Sequence, residues 1–158
     1  MDHQATIEDS IKMPFEALIA VVKDINRNPN ELIIEALKDA QIEELIIEAN
    51  QNQLDAGIDA NGNPIDPLYT ETTIRYKISK GQEFRWVTLK DTGKFQKSFK
   101  VIYRNDEIEI VATDSKRKKL RDKYGAAILG LTQESIESLK GPLLEVIKEV
   151  ILKRLEKR

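Results

Sequence analysis

The stretch Val87-Thr88-Leu89-Lys90-Asp91-Thr92-Gly93-Lys94-Phe95-Gln96-Lys97-Ser98-Phe99 limits what this chain can fold into more than any other part of it. Asp91 and Thr92 carry side-chain oxygens able to accept from the free N–H groups that open a helical turn. Gly93 supplies backbone freedom, and Phe95 and Phe99 then fall on one face. The stretch therefore reads as a hinge between two strands. A reaction site would need nucleophiles, bases or ligands converging on one point, and this stretch offers only geometry and apolar rings. It predicts a protein whose work is assembly, with no catalytic residues.

The flanks supply the strands. Phe84, Trp86 and Thr88 alternate with Arg85, Val87 and Leu89, the period-two pattern of a strand, and Phe99, Val101 and Tyr103 alternate likewise. After Asn105-Asp106, a tight-turn pair, Ile108, Ile110 and Ala112 form a returning arm with Glu107 and Glu109 toward water. A sheet with one apolar face needs a partner layer. The N-terminal half provides helices: Ile11, Phe15, Leu18, Ile19, Val22 and Ile25 at helical spacing from about Ser10 to Asn28, with Pro14 in the first turn. A second start follows at Asn28-Pro29-Asn30-Glu31. Ile33, Leu37, Ala40, Leu45, Ile46 and Ala49 continue it toward Asp55, with Gly57 as the residue that ends it. Such a helix spans about 40 Å, long enough to project from the core. Thr132 caps a further helix, Gly141-Pro142 breaks or restarts it, and Leu143, Val146, Ile147, Val150, Ile151 and Leu155 make a closing amphipathic helix with basic residues at its end. The expected fold class is α+β: long N-terminal helices packed on a small antiparallel sheet with a β-hairpin, and a closing C-terminal helix, in one structural domain over 1–158.

Composition removes several functions. There is no cysteine, so disulfides and thiolate chemistry are excluded, and the lone histidine, His3, sits in the N-terminal tail. With 25 basic and 27 acidic residues there is no global field to gather nucleic acid or an anionic membrane. The chain shows no basic-then-apolar leader and no run approaching the ~20 apolar residues of a membrane span, so a soluble protein made in a cytoplasm is expected. No cofactor is implied. Asp55, Asp59 and Asp66 are the carboxylates an enzyme would draw on, and their spacing places no acid opposite a base.

Residues 57–81 are dense in turn formers and read as an extended loop or arm, in which Thr70 caps a short helix through Ile74 and Ile78, stopped by Gly81. The Asp and Asn residues of Asp59–Asp66 suggest calcium. The EF-hand template fails, however, because Pro64 stands at its glycine position and Thr70 at its bidentate glutamate, so a plain turn and no metal is the expectation. The one dense charge run contains Lys116, Arg117, Lys118, Lys119, Arg121 and Lys123. These bases either replace counterions on phosphates or form a solvated helix face or a rim that pairs with acids on a partner. No aromatic residue interleaves with them, so base stacking has no support in the sequence.

Three segments taken together resemble a known family: Asp59-Ala60-Asn61-Gly62-Asn63-Pro64 with Tyr69 and Lys77 downstream; Leu89-Lys90-Asp91-Thr92-Gly93 with Ser98-Phe99; and Tyr124-Gly125-Ala126-Ala127-Ile128-Leu129-Gly130-Leu131. They are similar to the phage virion-morphogenesis, tail-completion (minor tail component) family, with the greatest likeness to its version in crAss-like phages. In that family a Leu-x-x-Thr-Gly-x-Leu/Phe-x-x-Ser segment precedes a hairpin. The resemblance runs from about Leu54 to Leu139. Many relatives carry a Pro-Ala-Arg-Pro-like segment before the final helix, where this chain has Ala126-Ala127-Ile128-Leu129-Gly130. What the resemblance implies is a structural virion subunit in the tail or neck, forming a homo-oligomeric ring of the head-to-tail connector. Residues 57–81 would reach a neighbour, and other connector, portal-proximal or tail proteins would adjoin. Asp91, Thr92, Gly93, Phe95, Ser98 and Phe99 would form the assembly motif, and the basic run would face other subunits or packaged DNA. The alternative is a cytoplasmic nucleic-acid-binding or assembly-factor module that uses residues 116–123.

Overall fold

The computed structural model describes residues 19, 23–24, 26–104 and 107–157. The expected first helix falls mostly outside them, as do His3 and the Asn105-Asp106 turn; residues 19, 23, 24, 26 and 27 are helical. The fold is α+β. Helix α1 (Pro29–Leu37) opens with Asn28 as N-cap and Pro29 at its first position, as the sequence predicts. The single 40 Å helix does not form. Asp39 turns extended (φ −63°, ψ 133°), its carboxylate accepts from the Gln41 N–H at 2.9 Å, and a second helix, α2 (Ala40–Asp55), starts there. An aspartate that can bond the backbone two residues on competes with helix continuation. The break leaves α2 about 24 Å long, and lets Leu32 and Ala36 of α1 share one core with Ile42 and Ile46 of α2.

Gly57 ends α2 as expected. At φ +75° its N–H donates to the Leu54 carbonyl (2.9 Å), while the Ile58 N–H reaches Gln53 (2.9 Å), the paired bonds of a left-handed helix terminus. Trp86 lies directly over it. A Cβ on Gly57 would fall 2.5 Å from Trp86 Cδ1, and the indole N–H donates to the Asp55 carbonyl at 2.9 Å.

Strands β1 (Phe99–Arg104) and β2 (Glu107–Ala112) form the expected antiparallel hairpin, pairing Phe99 with Ala112, Val101 with Ile110 and Tyr103 with Ile108. These residues share one face, Phe99, Ile110 and Ala112 are buried, and Glu107 and Glu109 are exposed. Helix α2 packs against β1. The Tyr103 hydroxyl ties the layers together by donating to the Glu43 carboxylate at 2.8 Å and the Leu37 carbonyl.

Among the described residues the sheet has two strands. Residues 84–89, expected as a strand, form an irregular strap, and the Gly93 hinge joins that strap to one strand. The cause is local: the Glu83 carboxylate accepts from the N–H groups of Phe84 (3.0 Å) and Arg85 (2.9 Å), the donors that a ladder would need. The Arg85 side chain closes the same carboxylate at 2.7 Å, and these bonds lower the Glu83 pKa to about 2. Val87, Thr88 and Leu89 are then buried consecutively, which no half-buried strand allows.

Residues 57–81 dock on the rest of the fold at several points. Ile58 bridges Pro64, Ile65 is buried, the Ala60 N–H donates to Ala127 at 2.8 Å, and α3 (Glu71–Ser79), capped by Thr70, buries Lys77. A short turn, α4 (Lys94–Lys97), leads into β1. After the hairpin come α5 (Arg117–Tyr124), a 3₁₀ turn at Ala126–Ile128, α6 (Gln133–Ser138, capped by Thr132) and α7 (Lys140–Glu156). The restart lies at Leu139, just before the expected Gly141-Pro142. Pro142 sits in the first turn of α7, where its missing N–H costs no helical bond. Helix α7 packs on α1 through Val146 and Val150, and Arg154 bridges Asp24 (3.2 Å) and Glu35 (2.5 Å).

Two predictions follow from this architecture. Gly57→Ala should cost about 3 kcal/mol, from the left-handed backbone and displacement of Trp86. Gly62→Ala, at φ +79° with nothing within 4 Å, should cost about 1 kcal/mol in the same denaturant titrations. Equal losses would remove Trp86 from the account. Burial, then the hydrogen bond to Glu43, holds the Tyr103 phenol well above its ordinary value of 10.0. Since the fold favours the neutral form, this stabilisation is complete below pH 10 and is lost as pH rises through the raised folded value. Tyr103→Phe should therefore be less stable than the parent at neutral pH and lose less stability on alkaline titration.

Candidate functional site

The hinge residues occupy the roles expected of them with one exception. Gly93, at φ +82°, is the N-cap of α4, a conformation that other residues adopt only with strain. Thr92 Oγ1 accepts weakly from the Lys94 N–H at 3.4 Å. Asp91 caps nothing: its carboxylate accepts from the Tyr76 hydroxyl at 3.2 Å and lies 4.0 Å from the Lys80 ammonium. Phe95 and Phe99 are buried edge to face with centroids 5.2 Å apart. Ser98 Oγ donates to the Phe95 carbonyl (2.7 Å) and accepts from the N–H groups of Thr113 (3.2 Å) and Asp114 (3.0 Å), fastening the start of β1 to the chain leaving β2. Between Phe95 and Phe99 in sequence, buried Gln96 donates to the Asp55 carboxylate and the Thr88 carbonyl, each at 3.0 Å. Its sequence position carries no sign of this role.

A second set of polar side chains, also hidden in the sequence, holds the Tyr124–Leu131 connector. Asn50, fully buried on α2, donates to the Ile128 carbonyl at 3.3 Å and accepts from the Gly130 N–H at 3.2 Å. One turn on, Gln53 donates to the Gly130 carbonyl (3.0 Å) and accepts from the Thr132 N–H (2.8 Å) and the Ser135 hydroxyl (2.6 Å). Two carboxamides thus pair with an extended backbone as a neighbouring strand would. Gly130 is required by proximity as well as by φ +146°, because a Cβ there would lie 3.0 Å from that of Ala60.

Beside the hinge lies a cleft of about 380 Å³. Its walls include Tyr69, Tyr76 and Lys77 from α3 and its approach, Lys90 to Phe95 from the hinge, and Asp114 to Lys116, Leu120 and Tyr124 from the basic region. Lys77 is only 4% exposed. Its ammonium donates to the Lys90 carbonyl at 2.6 Å and to Gln82 at 3.4 Å, and stands 4.8 Å from the Tyr69 ring centre. The Tyr69 hydroxyl accepts from the Thr88 N–H at 2.9 Å. Leu89, next to Thr88, is buried at φ +55°, a backbone strain that surrounding contacts must over-determine.

The basic run forms α5, and Lys116, Arg117, Lys118, Lys119, Arg121 and Lys123 are all exposed. Among the described residues none of them pairs with a carboxylate. Lys116 lines the cleft, and Lys123 lies 5.0 Å from the ring centre of Tyr124, another cleft residue. The ring beside the run is thus Tyr124, which follows Lys123 directly in the sequence. Asp59, the first residue of the calcium-like turn, spends one oxygen on the N–H groups of Asn61 (2.9 Å) and Asn63 (3.0 Å). Among the described residues no group of three carboxylate, imidazole or thiol side chains is placed to hold a metal.

Asn50→Ala, which removes both partners of the connector backbone, should cost about 3 kcal/mol of unfolding free energy. Exposed Asn52→Ala should stay within about 0.5 kcal/mol of the parent; similar values for the two would show that the amide clamp carries little energy. Compared with protein-family models, with curated proteins and with solved structures, the chain finds no match in any of the three.

Proposed function

We propose that this chain is a structural virion protein, a ring-forming subunit of the head-to-tail connector or tail-completion assembly of a tailed phage, and not an enzyme. The observation that carries the reading is the convergence of the three segments on which the family resemblance rests. The Asp59–Pro64 turn bonds the connector through Ala60 N–H and the Ala127 carbonyl. Tyr69 and Lys77 bond the strap and hinge at Thr88 and Lys90, and Tyr124 faces the same cleft as Gly93. Residues far apart in sequence but shared by a motif set form one contiguous unit around the end of α2. What unites them is packing and backbone hydrogen bonding, the demands of a subunit that must keep one shape at a joint. Among the described residues no helix is long and apolar enough to cross a membrane.

Contacts to neighbouring subunits would be heterologous, since head-to-tail surfaces close into a ring when the rotation allows. Exposed apolar side chains suited to that role are Leu68 and Ile78, flanking the cleft region, and Leu144 and Leu152 on α7. A second reading, a nucleic-acid-binding or assembly-factor module, is favoured by one observation: the six exposed bases of the run, with no carboxylate paired to any of them among the described residues.

Quantitative mass spectrometry of purified particles tests the first reading. The chain should appear at a fixed copy number relative to the portal protein. Its absence from finished particles would reject the structural role and leave the second reading.

A further inference from the structure

We propose that the cleft between α3, the hinge and α5 binds a single-stranded nucleic-acid segment, with a base received against Tyr76 and Tyr124 and the flanking phosphates held along Lys116 and the exposed bases of α5. This rests on the second reading, contact with phosphate through α5, and extends it from charge to base contact. It holds whether the nucleic acid is met inside a particle or outside one.

Three observations lead to it. The first is the cation within the cleft. Lys77 is almost wholly buried, and its ammonium is met by a carbonyl, an amide oxygen and an aromatic ring, with no carboxylate paired to it among the described residues. The ammonium has three donors and spends two of them on Lys90 and Gln82, so the third can meet a carbonyl oxygen on the edge of a base entering the cleft. Asp91, also in the cleft wall, bonds Tyr76 and lies near Lys80, and no salt bridge joins it to Lys77.

The second is the aromatic lining. Tyr76 is 45% exposed, Tyr124 is half-buried, and both line the cleft. Each carries a lysine near its ring, Lys80 at 4.7 Å and Lys123 at 5.0 Å from the centroid. Rings beside cations are what a groove for single strands combines, because every base has a face to stack and every phosphate a charge to meet.

The third is size and direction. A cleft of about 380 Å³ is on the scale of small-ligand sites and suits one splayed-out base, whereas a duplex cannot enter it. Lys116, Leu120 and Tyr124, one helical turn apart along α5, line the cleft, so the basic helix lies along its wall with its other bases exposed beside it. An acidic peptide would use the cations but would leave the two tyrosine faces without purpose.

The test is fluorescence anisotropy with a labelled short oligothymidylate and a duplex of equal length, over a salt series. The oligothymidylate should bind more tightly than the duplex. Tyr124→Leu should weaken single-strand binding roughly tenfold and leave duplex binding unchanged, and Tyr124→Phe should retain it. Tyr76→Leu provides an independent ring should Tyr124→Leu fail to fold. Combined Lys118→Ala and Lys119→Ala should weaken both ligands and flatten the salt dependence. Equal binding of the two ligands, insensitive to either tyrosine, would overturn the inference while leaving the second reading intact. Displacement of the oligothymidylate by polyglutamate at equal charge would overturn it in favour of a carboxylate-bearing partner. No binding to either nucleic acid would overturn both.

Discussion

The side-chain amides of Asn50 and Gln53 do for this fold what a third strand does in a larger sheet. A two-stranded hairpin is marginal alone and must be covered. Here α2 covers it on one side and, through these carboxamides, secures the Tyr124–Leu131 connector as well. Burying unpaired amide groups is costly, so the pairing selects a single register: a shift of the connector by one residue would strand donors and acceptors together. From that fixed connector the rest follows. The Ala60 turn bonds to it, α6 is capped at its exit, and α7 returns to close on α1.

The same end of α2 organises the strap. Asp55 accepts from Trp86 through its carbonyl and from Gln96 and Lys90 through its carboxylate, joining the helix terminus to both sides of the Gly93 hinge. Trp86 in turn requires that Gly57 have no side chain. The surface Asp55–Lys90 pair at 3.3 Å adds little in water, whereas the buried Gln96 bonds leave no substitute if removed. The apolar core supplies most of the driving force, and these enclosed polar contacts to backbone fix how the strap and connector lie on it.

Elements whose signals were local were legible from residues alone. The hairpin shows by alternation, the Thr70 and Thr132 caps by side-chain chemistry, and the Gly57 terminus by position, since each depends on atoms a few residues apart. The errors came where a local alternative intervened or a distant partner decided. Glu83 captured the amides of Phe84 and Arg85 and turned an apparent strand into a strap, and Asp39 divided a helix whose apolar spacing ran straight through it. Where the turns of residues 57–81 dock, at Ala127 and Lys90, is set by distant partners that turn formers do not reveal. At the candidate site the positive φ of Gly93 and the shared face of Phe95 and Phe99 are local and show in the sequence, whereas Lys77, Gln96, Tyr76 and Tyr124 converge only through contacts between α3, the hinge and α5. Tyr124, next to Lys123 in sequence, ends the basic run, and that it also lines the cleft shows only in the structure.

Native-state hydrogen exchange on the connector and on α2 tests the central claim, that the amide clamp binds them into one cooperative unit, most directly. The N–H groups of Gly130 and Thr132, which lie outside any helix or strand, should exchange as slowly as those in the middle of α2 and show the same dependence on denaturant. Fast exchange at Gly130 and Thr132 while α2 stays protected would contradict it, and would make the connector a loop resting on the fold instead of the piece that holds it together.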